Sequence, residues 1–128
     1  KRLRLSDAVP FCVETSYLPQ HRVPGLVAAD VFAAPSLYAL LRERFGMTFA
    51  TSDFHVSVAA APEIEADLLG LAPGVGALAM RSTVYDRDGQ PAEFLISWNH
   101  PDRVAFESLR DDSGPVKSVF TDWASPKA

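Results

Sequence analysis

Cysteine occurs once in this chain of 128 residues, at Cys12. A lone cysteine builds no intramolecular disulfide framework and fits a reducing cytoplasm. Basic charge is also short, with 12 Lys and Arg against 16 Asp and Glu and a formal net charge of −4. A surface that grips a phosphate backbone needs clustered Lys and Arg, and no basic run exists beyond Lys1, Arg2 and Arg4. The chain is therefore not expected to bind DNA by itself. No apolar run approaches the roughly 20 residues of a membrane-spanning helix, so no membrane role is expected. The opening Lys1-Arg2-Leu3-Arg4-Leu5-Ser6 alternates and lacks the unbroken apolar stretch of a signal peptide. His21, His55 and His100 show no metal-ligand spacing, and no nucleophile elbow is present. Neither metal nor cofactor is expected.

What is present is an ordinary globular composition, 48% apolar and 22% charged, at the length of one domain. The first residue is not Met and Arg2 to Leu5 already reads as a strand, so the natural protein is expected to continue upstream. A turn over Ser6–Pro10 joins that strand to a β-prone run, Phe11 to Leu18. After a loop through Pro24-Gly25 and a short apolar segment to Phe32, Pro35 and Ser36 open a helix. Leu37, Leu40, Leu41 and Phe45 form its stripe and Gly46 ends it. Phe54 to Ala59 alternates as a half-buried strand, and Pro62 to Gly70 reads as a short helix with acids in its first turn. Ala77–Tyr85 and Pro91–Asn99 form a second hairpin about Asp86–Gln90. Val104 to Leu109 is a candidate last strand. The domain is expected to span 1–109, with 110–128 as a flexible tail. The two hairpins share a syntax of arginine, Asp-bearing turn, proline and glutamate, which suggests an α+β fold with an antiparallel sheet about a central cleft.

Several residues carry candidate chemistry, each beside a plainer role. Arg2 and Arg4 are two apart, so on a strand both share a face and can grip a carboxylate or phosphate. The plain alternative is a solvated strand end. Ser36 stands where a helix start favours an anion, or its hydroxyl simply caps that helix. Tyr38 is either a core aromatic or a hydroxyl aimed into the cleft. Glu14 and Glu93 lie in apolar, β-prone segments, where a carboxylate must pair. They are structural ion-pair partners or acceptors for ligand hydroxyls and amines, and Arg81 is either a counter-ion or a third anion donor. Paired carboxylates also permit general acid–base catalysis. Cys12 permits a thiol nucleophile, although a small buried hydrophobe is the plainer role.

An ordered series of motifs adds to this. Glu14-Thr15-Ser16-Tyr17-Leu18-Pro19, Pro24-Gly25-Leu26, Ser36-Leu37-Tyr38, Leu69-Gly70 with Pro73-Gly74, Arg81 with Tyr85-Asp86, Gly89-Gln90-Pro91-Ala92-Glu93, and Asp102-Arg103 with Phe106 fall in one order. From about Arg2 to Phe106 the chain resembles the UTRA domain, the effector-binding half of GntR-type regulators of the HutC subfamily. The resemblance implies a chorismate-lyase-like fold, a homodimer, and an N-terminal winged helix-turn-helix, absent from this chain, as the part that contacts DNA. It implies an anionic effector such as a sugar phosphate or carboxylate, held by Arg2, Arg4, Glu14, Ser36, Tyr38 and Glu93, with Arg81 and Asn99 joining the expected set. The family's Tyr-Arg-Gly-Asp-Arg is here Asn99-His100-Pro101-Asp102-Arg103. That replacement points away from a phosphosugar. Two rival functions stand beside this one: an enzyme of the related lyase fold acting on a small carboxylate, and a dimerisation module without a ligand.

Overall fold

The computed structural model describes residues 1–107 and 117–120. Strands β1 (Arg2–Ser6) and β2 (Val9–Tyr17) form an antiparallel hairpin in which Ser6 faces Val9 across the two-residue turn Asp7-Ala8. Both turn residues have positive φ, 47° and 64°, the left-handed backbone that lets a tight hairpin match the twist of its strands. A 3₁₀ turn (Gln20–Arg22) leads to α1 (Ala28–Ala33) and α2 (Leu37–Phe45). The short apolar segment before Phe32 is thus helical in part. Two strands, β3 (Thr51–Ser52) and β4 (His55–Ala60), then precede α3 (Glu63–Leu69). The second expected hairpin is β5 (Gly76–Tyr85) with β6 (Pro91–Asn99).

The two hairpins lie side by side because β2 pairs with β6 antiparallel, Glu14 facing Ser97 and Ser16 facing Leu95. The sheet has six strands in the order β1-β2-β6-β5-β3, and β4 also pairs with β5. This is the α+β antiparallel architecture expected. β7 (Val104–Glu107) pairs with β8 (Lys117–Phe120) as a separate ribbon. Part of the segment read as a flexible tail is therefore a strand; the rest of 108–128 lies outside the described residues.

Two apolar clusters flank the sheet. On one, Val13 of β2 and Ala77 of β5 meet Ala66 and Leu69 of α3 and Leu71 beyond it. On the other, Leu37 and Leu41 of α2 pack with Val23, Met47 and Ala92. Leu41 has no exposed surface, so α2 is pinned through its centre. Its start is fixed as well, since the Ser36 hydroxyl accepts the backbone N–H of Ala39 at 3.0 Å, and Gly46 (φ 64°) ends it. These anchors fix the first turn of α2 opposite the β1–β2–β6 face, in contact with β6.

Candidate functional site

Between that first turn and the sheet lies a cleft of about 450 Å³. Six of the sequence-predicted residues line it: Arg2, Arg4, Glu14, Ser36, Tyr38 and Glu93. Cross-strand pairing explains the convergence. Arg2 faces Glu14 and Arg4 faces Cys12, while Glu14 faces Ser97, so alternate residues of β1, β2 and β6 present one face together.

The glutamates are engaged. Arg2 reaches Glu14 at 2.7 Å, and the Glu14 side chain is only 11% exposed. Arg4 stands 4.0 Å from the same carboxylate, beyond hydrogen-bond reach, with its guanidinium 5.4 Å from the Phe11 ring and its side chain 53% exposed. Tyr38 fills both roles left open for it. Its ring stacks on Phe49 at 4.2 Å between centroids, and its hydroxyl donates to the carboxylate of Glu93, itself 2% exposed. Burial and the Glu93 carboxylate raise the phenol's pKa, so Tyr38 stays a neutral donor. Ser36 is the helix cap and lies on the cleft wall at once.

Arg81 and Asn99 are placed elsewhere. Arg81 pairs with Ile96, whose neighbours Leu95 and Ser97 belong to the cleft face, so it emerges on the opposite side of the sheet. There it is exposed and shares a surface pocket with Asp53 and His55. Asn99 is buried, and its amide donates to the Leu78 carbonyl at 3.0 Å and the Ser97 hydroxyl at 2.9 Å. Its role is to tie β6 to β5. Nearby, Arg103 donates to the Pro10 carbonyl at 2.7 Å, holding the β1–β2 hairpin against the β6–β7 turn. The apolar wall supplied by Leu37 and Leu95 was not foreseen; alternation along β6 was the signal that could have found Leu95.

Cys12 faces Arg4 across the β1–β2 pair, two residues from Glu14, and is 4% exposed. Burial, then the Glu14 charge, pushes its thiol up to about 12. It is a protonated core group at neutral pH, not a thiolate. Among the described residues no group of three or more His, Cys, Asp or Glu is arranged to hold a metal, and no helix is long and apolar enough to cross a membrane.

This antiparallel α+β fold recurs in solved structures of bacterial regulators. The ligand-binding domain of a Bordetella bronchiseptica protein assigned to the GntR-family transcriptional regulators superposes with a TM-score of 0.78 at 23% identity, over 84% of this chain and 69% of that one. PhnF from Mycobacterium smegmatis gives 0.70 at 28% identity, over 84% and 47%. In sequence, the UTRA domain model matches residues 1–105. The chain belongs to the UTRA domain family. A curated relative, the HTH-type transcriptional regulator Rv0792c of Mycobacterium tuberculosis, is 31% identical over 108 residues, 83% of this chain. The uncharacterised HTH-type transcriptional regulator YydK of Bacillus subtilis is 31% identical over 101 residues, 78% of this chain. The chain spans 40% and 42% of these two relatives' lengths.

Proposed function

We propose that this domain is the effector sensor of a cytoplasmic GntR-type regulator of the HutC subfamily, and that its cleft receives a small anionic metabolite. The observation that carries this is the division of charge in the cleft. Glu14 is satisfied by Arg2 and Glu93 by Tyr38, while Arg4 keeps guanidinium donors for a ligand. The anion would sit between Arg4 and the start of α2, where the helix dipole adds to the attraction. A hydroxyl or amine of the same ligand would reach Glu93. The rival enzymatic reading has less support, because the relatives are named as transcriptional regulators and Cys12 is no nucleophile.

The response follows from where Arg2 and Arg4 sit. Both lie on β1, which in this proposal continues from the linker to a winged helix-turn-helix that contacts DNA in the context of a homodimer. A ligand that draws on β1 acts at the domain junction, with a coupling of about 1–3 kcal/mol typical of such systems.

A thermal-shift screen of the chain against anionic metabolites tests the proposal, because a ligand of the native state raises stability by mass action. A carboxylate or phosphate metabolite should raise the melting temperature of wild type more than that of Arg4→Ala at the same concentration. Hexosamine phosphates should do so weakly or not at all, since Asn99 and His100 stand where family binders of phosphosugars carry tyrosine and arginine, and both are buried here. A screen in which no anion shifts the wild type would overturn the proposal.

A further inference from the structure

Across the wall formed by Arg2, Glu14 and Leu37, the cleft adjoins a second cavity of about 220 Å³. Its far side has a different chemistry. Leu18, Leu26, Ala28 and Val31 line it, from the end of β2 to the middle of α1, and Phe32 stands at its rim with 76% of its surface exposed. Ser16 also lines this cavity. Its hydroxyl is a buried side-chain oxygen with no hydrogen-bond partner, a singular case among the described residues. A buried hydroxyl in that state is unfavourable until something pairs with it.

We propose that the effector is bipartite, with its anionic head beside Arg4 in the cleft and an apolar body in this second cavity. The body carries one polar atom that pairs with the Ser16 hydroxyl. The proposal rests on the anion-site reading above and narrows it to amphiphilic organic anions, such as the carboxylate or phosphate of a compound with a hydrocarbon or aromatic portion. Three features support it. The two cavities adjoin, with Arg2, Glu14 and Leu37 lining both. Concave apolar walls gain from hydrocarbon contact and little from water. Lys1 lines the cavity beside Arg2, Glu14 and Ser16, and a few polar groups among apolar ones are the usual means by which a pocket orients a ligand. A cavity of this volume admits a group the size of a side chain, not the surface of a protein.

Isothermal titration of the chain with straight-chain alkyl phosphates from methyl to hexyl, and with the matching carboxylates, tests this. In wild type, affinity should rise about three- to fourfold per added methylene in at least one series. Ala28→Trp, a substitution at an exposed position that fills the cavity, should flatten the rise while leaving methyl phosphate or acetate affinity unchanged. Phe32→Ala, which removes an exposed rim side chain without disturbing the core, should reduce the slope. Arg4→Ala should weaken all members of the series equally. With an ether-containing alkyl phosphate titrated beside its plain analogue, Ser16→Ala should weaken the ether chain more than the plain one. A flat wild-type series with the head group still bound would overturn the apolar extension and leave the anion site standing; no binding of either head group would remove both. A rising series untouched by Ala28→Trp and Phe32→Ala would place the hydrocarbon elsewhere. If Phe32→Ala instead changed the mass measured by sedimentation and the series stayed flat, the cavity would belong to a contact with a second copy.

Discussion

Glu14 meets Arg2 at 2.7 Å and Arg4 at 4.0 Å, and that difference divides structural from binding duty between two arginines of one strand. The Arg2–Glu14 pair is partly buried, with side chains 33% and 11% exposed. Removing either partner leaves a charge without its counter-ion, at a cost of about 1–2 kcal/mol for a pair that retains some solvent. Arg2→Ala and Glu14→Ala should each lower the urea midpoint of the empty domain by that equivalent, and the double variant should cost less than the sum. Arg4→Ala should change it little. The spacing of Arg2 and Arg4 was legible in the sequence because alternation along a strand is strict. The sidedness of Arg81 was not. It depends on the register of β5 against β6, which a neighbouring strand sets and local pattern does not reveal.

The hairpin turns hold the elements in register, and each is held by different chemistry. At Asp7-Ala8, alanine occupies the left-handed region at φ 64°, where a Cβ is unfavourable. Ala8→Gly should stabilise the domain by about 0.5–1 kcal/mol, read as a rise of roughly 2–4 °C in melting temperature. At the β5–β6 turn, the Asp86 carboxylate accepts the backbone N–H groups of Gln90 at 2.8 Å and Asp88 at 2.9 Å, and the Arg22 guanidinium at 2.7 Å. The Gln90 N–H and Arg22 hold this carboxyl below its ordinary 3.8, against the opposing effect of burial. A depressed folded-state value gives stability that is fully present above the unfolded value and is lost as pH falls through the folded one. The melting temperature of wild type should therefore exceed that of Asp86→Asn by a constant margin above pH 5. The margin should shrink only below about pH 4; a margin that persisted unchanged to pH 2 would contradict the assignment. The turn, the cap at Ser36 and the stop at Gly46 were all visible in sequence, because their residue types carry the conformation. Helix α1 was not. Its six residues span too few turns to show periodicity, and it is this element that walls the second cavity.

At the scale of the molecule, charge decides what the isolated chain does without its proposed DNA-contacting partner domain. With a net charge of −4, it should give no salt-sensitive anisotropy change with duplex DNA at physiological ionic strength. Light scattering at tens of micromolar should report a dimer, in line with the proposal. The sheet order that brings the two hairpins together was anticipated only as a likeness of syntax between them. The β2–β6 pairing that joins them is long-range and rests on complementary faces, not on any local signal. Everything proposed about function then depends on whether the cleft captures an anion through Arg4. Calorimetric titration of wild type, Arg4→Ala and Arg4→Lys with the strongest anionic hit of the thermal screen, beside melts of the three empty proteins, measures this directly. A charge-assisted contact of this kind contributes about 1.5–3 kcal/mol, so Arg4→Ala should bind roughly ten- to a hundredfold more weakly with an unchanged melting temperature. Arg4→Lys should recover only part of the loss, because an ammonium lacks the planar fork. Equal affinity in all three proteins, with the empty Arg4→Ala domain destabilised, would contradict the account and make Arg4 a second structural partner of Glu14.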